Sequence, residues 1–300
     1  MLQTQFIIFV CLGVGFFLGK KGLITDKGRV DITNIVLDVT LPASIIAAFM
    51  DQKISPELMH QSVSVLIAAT VLQIVSCLIG PLLFPRSKFP EEDRKVFRYS
   101  IINTNASFVA LPILNAILGS LGSVLTSVAL IPIRISLWTI GLAIFIDEKD
   151  TAKKVKAVLL NPSMVANYIG LVIMLLPVEY PAFIRRTFTT AGNGTTFLSM
   201  MIVGYVVSKI ELKKIIHPSV LYYCLIRLIV IPLALLAVMK LFGADDISTA
   251  VCVVIAGVPA GSFTAMMAAR YHSNETLAGQ VVFLSTLFSI ITLPLLCLLF

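Results

Sequence analysis

The chain has 300 residues, of which 58% are hydrophobic and only 13% charged, against about 25% charged in an ordinary soluble domain. With a mean hydropathy of +0.97, these figures exclude disordered, collagen-like, coiled-coil and disulfide-rich secreted chains, and they place the sequence in a bilayer. The net charge of +7 sits in short loops between apolar runs, so it speaks for membrane orientation and not for a nucleic-acid partner.

Ten apolar segments follow one another at residues 5–19, 32–50, 62–83, 97–118, 123–146, 160–176, 182–207, 220–242, 247–270 and 276–300. A helical span needs about 20 apolar residues, and 300 residues hold roughly ten to twelve such spans with short loops. The runs are continuous and lack the alternation of barrel strands, so they predict helices. No Lys or Arg precedes Lys20, and basic residues follow the first run, which predicts an uncleaved first helix in place of a signal peptide. Cys11, Cys77, Cys224, Cys252 and Cys297 all fall inside apolar runs, without a CxxC pair, and read as small buried hydrophobes. No metal site and no cofactor are expected.

The Lys and Arg residues divide unevenly. Loops after segments 1, 3, 5, 7 and 9 carry 17 of them, the other loops carry 4, and Arg134 and Arg227 lie inside segments. By the positive-inside rule the first set is cytoplasmic and both termini are outside. Segments 1–5 and 6–10 form halves of similar spacing, over residues 1–150 and 151–300. Five is odd, so two such halves in one chain are inverted relative to each other, an arrangement common among secondary transporters. The expected fold is an all-α polytopic membrane protein of ten transmembrane helices in two inverted five-helix repeats.

The fourth segment of each half is interrupted. Segment 4 carries Asn103, Thr104, Asn105 and Ser107 and then Pro112; segment 9 carries Gly257, Pro259, Gly261, Ser262 and Thr264. Proline removes a backbone donor and clashes with the preceding turn. Irregular backbone at membrane depth survives only where it is buried in protein or lines a cavity. Paired breaks in corresponding segments point to a transport site, and half-helix N-termini there suit an anion. The alternative is a pair of ordinary proline kinks, the reading given to Pro42, Pro132, Pro232 and Pro294. Of the charges inside segments, Arg134 could hold a carboxylate bidentately, or serve as a structural pair or a snorkelling side chain. Arg227, near a segment end, reads as snorkelling. Asp38 could carry a coupling proton, or bond to backbone beside Pro42.

At the two breaks the chain resembles the auxin efflux carrier family, which includes plant exporters and bacterial malate or malonate permeases. The likeness rests on Asn105-Ala-Ser-Phe-Val-Ala-Leu-Pro112 with Gly119 and Gly122, on 131–141 around Trp138, on Gly257-Val-Pro-Ala-Gly261 with 269–271, and on the tail 285–295. The resemblance implies that broken helices 4 and 9 cross near the midplane, with Asn105, Pro112 and Pro259 at the crossover. It also implies an elevator motion, with helices 1, 2, 6 and 7 as scaffold and 3–5 and 8–10 as transport domain, and a homodimer. Two departures stand out: Phe197 where many relatives carry Pro, and Arg134 where many carry Asn. The short link at 147–158 suits the bacterial type.

The expected function is a secondary transporter of a small organic anion, such as a mono- or dicarboxylate, in the cytoplasmic membrane. Its site residues are Asn103, Asn105, Ser107, Pro112, Arg134, Pro259, Gly261, Ser262 and Thr264, with Asp38 for a coupled proton or sodium. A cation–proton antiporter of similar design is the alternative, though it wants carboxylates at the crossing. An enzyme is not expected: there is no HExxH, and His60, His217 and His272 lie near segment ends.

Overall fold

A computed structural model describes residues 2–50, 59–146, 153, 156, 159–175, 180–209 and 216–300. The link between the predicted halves is mostly outside these residues, as are Lys53, Lys149, Lys154, Lys213 and Lys214. All described elements are helical apart from one isolated β-bridge. In chain order, α1 is Leu2–Lys20. Asp26–Ile35, a π turn at Val36–Thr40 and Leu41–Met50 run on as α2. α3 is Met59–Leu83 and α4 is Glu91–Ile102. After a π turn at Ala106–Ala110, α5 runs Leu111–Ser136 and continues through a π turn at Leu137–Gly141 to Phe145. α6 is Pro162–Leu175 and α7 is Ala182–Lys209. Pro218–Leu225, a π turn at Ile226–Val230 and Ile231–Leu241 form α8. α9 is Asp246–Gly257, α10 is Phe263–Arg270 and α11 is Glu275–Cys297.

Five described stretches are long and apolar enough to cross a membrane: Asp26–Ala47, His60–Leu83, Val124–Phe145, Pro218–Leu241 and Glu275–Cys297. Several helix ends differ from the sequence expectation. α2 begins at Asp26, six residues before the apolar run, because the Thr25 side chain caps it by accepting from the Gly28 N–H at 3.0 Å. α4 also begins six residues early. Its first turn is Glu91-Glu92-Asp93, and negative charge there complements the helix dipole. Arg94 and Lys95, counted above as loop charges, are therefore buried side chains paired with Glu91 and Glu92. The predicted end of segment 4 and start of segment 5 meet at Gly119, whose non-helical φ of 63° and ψ of −144° break α5 into two helices joined across a kink, as the sequence spacing expects.

Three of the π turns end two residues before a proline: Thr40 before Pro42, Ala110 before Pro112, and Val230 before Pro232. A proline ring presses on the carbonyl four residues back, which is Asp38, Phe108 or Leu228, each in the middle of its π turn. Widening the turn relieves that clash without breaking the helix. Pro132 and Pro294 are accommodated inside α5 and α11.

The helices pack with small residues between them. α1 lies along α7, α2 against α6 and α7, α3 against α4 and α5, α8 against α9, and α10 against α11. A Cβ at Gly15 would overlap the Met201 backbone, one at Gly204 the Leu12 carbonyl, and one at Gly19 the Ser208 side chain. Gly15 and Gly19 on α1 and Gly204 and Ser208 on α7 thus form two small-xxx-small rows at one interface, which lets the backbones approach closely where apolar burial gives no driving force.

Candidate functional site

α4 ends at Ile102 and α9 ends at Gly257, and the extended residues that follow pass each other antiparallel. Thr104 and Ala260 form the isolated bridge. The Asn105 N–H donates to the Pro259 carbonyl at 2.9 Å, and the Gly261 N–H donates to the Asn103 carbonyl at 2.9 Å. Each broken segment thereby supplies the partner the other lacks, which is what irregular backbone inside a bilayer requires.

The remaining carbonyls at the end of α4 are satisfied one by one. The Tyr99 carbonyl accepts from the Asn103 N–H at 2.7 Å. The Ser100 carbonyl accepts from the Tyr223 hydroxyl at 2.9 Å, the Ile101 carbonyl from Arg227 Nη1 at 3.5 Å, and the Ile102 carbonyl from Gln73 Nε2 at 3.1 Å. On the other chain segment, Arg227 Nε donates to the Val258 carbonyl at 3.2 Å, and the Ala260 N–H donates to Ser285 Oγ at 3.1 Å. Gln73, Tyr223, Arg227 and Ser285 come from α3, α8 and α11 and were not among the expected site residues. Their signal in the sequence was a polar side chain within an apolar segment, mid-segment for Gln73 and Ser285 and nearer an end for Tyr223 and Arg227, without any pairing to explain it. Arg227 does not snorkel: its side chain is directed inward and only 1% of the residue is exposed.

The predicted residues divide into four groups. Asn103, 1% exposed, donates through Nδ2 to the Gly261 carbonyl and to Thr264 Oγ1, both at 3.2 Å. A Cβ at position 261 would overlap the Asn103 amide, so any larger residue there would displace that side chain. Asn105, Pro259, Gly261, Ser262 and Thr264 surround the same crossing, where Asn105 Nδ2 and Ser262 Oγ are buried without a hydrogen-bond partner. Pro112 is not brought to the crossing. It is the second residue of α5, beyond the π turn, whereas Pro259 adjoins the bridge itself. The two prolines expected as counterparts therefore occupy different places, because the first break is made by Asn103–Asn105 and the second by Val258–Gly261.

Arg134, Ser107, Asn103 and Thr104 face a cavity of about 60 Å³ between α2 and the crossing, completed by Ser44, Trp138, Phe263 and aliphatic side chains. A cavity needs about 10–15 Å³ to hold one water, so the space suits a few waters or a small solute group. Arg134 enters it from α5 with its guanidinium 5.6 Å from the Phe49 ring centre, and its Nη1 is buried without a hydrogen-bond partner. Thr104 Oγ1 is likewise unpartnered. A buried donor left unsatisfied costs about 1–3 kcal/mol, and more when charged. A carboxylate reaching the cavity would repay that cost.

Asp38 is elsewhere. It is 36% exposed at its side chain and pairs with Arg270 Nη1 at 2.7 Å, at the far end of α10. Arg270, expected as a plain loop charge, is thus half of an ion pair. Among the described residues no Asp or Glu lines the cavity, and no group of His, Cys, Asp and Glu is arranged to hold a metal ion.

Broken apolar helices crossing inside a helical bundle, with a polar cavity beside the crossing, are an arrangement found among membrane transport proteins. A family model described as Membrane transport protein matches residues 1–297, and the chain belongs to this auxin efflux carrier and membrane transport family. No curated protein matches the chain.

Proposed function

We propose that the protein is a secondary transporter that moves a small organic anion, a mono- or dicarboxylate, across the cytoplasmic membrane by alternating access. The observation that carries this reading is Arg134, a buried cation with an unsatisfied donor facing a cavity that also presents Asn103, Thr104 and Ser107. A guanidinium recognises a carboxylate with two parallel hydrogen bonds, and it is always charged. The second half-helices, from Ala106 and from Phe263, begin at the crossing, and their N-terminal dipoles favour the same anion.

Packing supports the inverted repeat. The partnership of α1 with α7 has its counterpart in α6 with α2, and that of α3 with α4 in α8 with α9. α2 contributes Leu41, Ser44 and Ile45 to one wall of the cavity, opposite residues of the crossing and α5. This is the geometry that an elevator carrier with helices 1, 2, 6 and 7 of the ten as scaffold would use. The same reading gives a homodimer, both termini outside, and residues 1–150 and 151–300 as its halves. A cation–proton antiporter would want acids where this cavity presents a cation.

The test is uptake of radiolabelled mono- and dicarboxylates by proteoliposomes. The wild type is expected to accumulate at least one of them saturably, and Arg134→Ala to lower that uptake at least about tenfold, the equivalent of one lost charged hydrogen bond. Equal uptake by wild type and Arg134→Ala would refute the assignment.

A further inference from the structure

Where two helices are broken at one place, two C-termini and two N-termini are brought together. Each helix C-terminus carries roughly −0.5 of an elementary charge. Here the C-terminal ends of α4 and α9 converge on one side chain, since Arg227 donates Nη1 to the Ile101 carbonyl and Nε to the Val258 carbonyl. Gln73 and Tyr223 take the neighbouring Ile102 and Ser100 carbonyls. Unwound carbonyls and half-helix C-termini are the groups with which broken-helix transporters coordinate sodium, and a hard cation needs several such oxygens at once. Among the described residues Arg227 forms no ion pair with a carboxylate, and its Nη2 is buried without a hydrogen-bond partner. Its charge is balanced by the two helix ends.

Building on the transport reading above, we propose that Arg227 is a resident cation standing where a coupling sodium ion would otherwise be bound, so that transport is independent of sodium. Arg227 is then a positioning residue. It neutralises the C-terminal pair at the crossing, and so leaves the N-terminal pair and Arg134 to set an attractive field for an anion.

Two measurements on the purified full chain test this. The first needs no substrate: thermal unfolding in detergent, in sodium chloride and in choline chloride at equal ionic strength. The wild type is expected to unfold at the same temperature in both. Arg227→Gln, which replaces the cation with a neutral oxygen donor, is expected to unfold about 5–10 °C lower in choline and to recover part of that in sodium by mass action. Arg227→Ser serves in the same way should Arg227→Gln not fold. Specific stabilisation of the wild type by sodium would overturn the proposal, and so would a variant whose unfolding does not respond to the ion, since Arg227 would then be a structural clip alone. The second measurement is carboxylate uptake with sodium replaced by choline, expected to change less than about twofold; a requirement for sodium would overturn the proposal. Uptake of no carboxylate at all would instead sink the transport reading, while the unfolding comparison would still decide the role of Arg227.

Discussion

Arg134 and Arg227 are the two cations assigned to segment interiors, and their surroundings differ. Arg227 is directed at backbone carbonyls of both broken segments. Arg134 rests on an aromatic ring and leaves a donor open to a cavity. The difference cannot be read from the chain, where each is an Arg in an apolar run. Tyr223→Phe tests the role of carbonyl satisfaction. It leaves the buried Ser100 carbonyl without its donor, at a cost of about 1–3 kcal/mol, and is expected to lower the unfolding temperature by several degrees with uptake largely retained. Asn103→Ala removes bonds to both Gly261 and Thr264; it is expected to reduce uptake at least about tenfold as well as stability. The two variants together separate holding the backbone from shaping the site.

At the scale of elements, the prolines and glycines carry the information. Pro42 and Pro232 each follow a π turn that makes room for the ring, so these two expected kinks are local widenings of continuous helices. The glycines of α1 differ among themselves. Gly15 abuts the Met201 backbone, while nothing lies within 4 Å of a Cβ at Gly13. Gly13→Ala is therefore expected to be neutral, or to stabilise by a fraction of the roughly 1 kcal/mol that separates Gly from Ala in a helix. Gly204→Ala, which would overlap the Leu12 carbonyl, is expected to destabilise by about 1–3 kcal/mol through overpacking. Thermal unfolding of the two variants side by side checks the α1–α7 interface. Sequence spacing had located both helices to within a few residues. It could not rank the glycines, because only the partner helix makes one close-packed and another open.

For the whole molecule, the charge pattern and the packing address different questions. The loop charges predict that Lys88 and His272 face the cytoplasm and Gly243 the outside. In a cysteine-free background, Lys88→Cys and His272→Cys should react with an impermeant thiol reagent only from the inner side of right-side-out vesicles, and Gly243→Cys only from the outer side. Labelling in the reverse sense would invert the topology. Asp38 makes a second global test. As a residue paired with Arg270 and absent from the cavity lining, it is expected to tolerate Asp38→Asn with uptake within about twofold of wild type. Loss of pH-gradient-driven uptake in that variant would restore it as the coupling carboxylate.

Composition by itself determined that the chain lives in a bilayer, and the continuous apolar runs located most of its apolar helices. Both are one-dimensional properties that the membrane enforces on each segment separately. The two breaks were also legible, because Asn, Gly and Pro cannot continue a helix in hydrocarbon without a partner. Which groups would be those partners was decided by tertiary structure alone. Asn103 meets Gly261 and Thr264 across some 160 residues of chain, Arg227 joins Ile101 to Val258, and Asp38 finds Arg270 instead of the crossing. A buried polar group takes whichever complementary group folding brings within hydrogen-bond reach. That choice depends on how the helices pack against one another and has no signature in the order of residues along the chain.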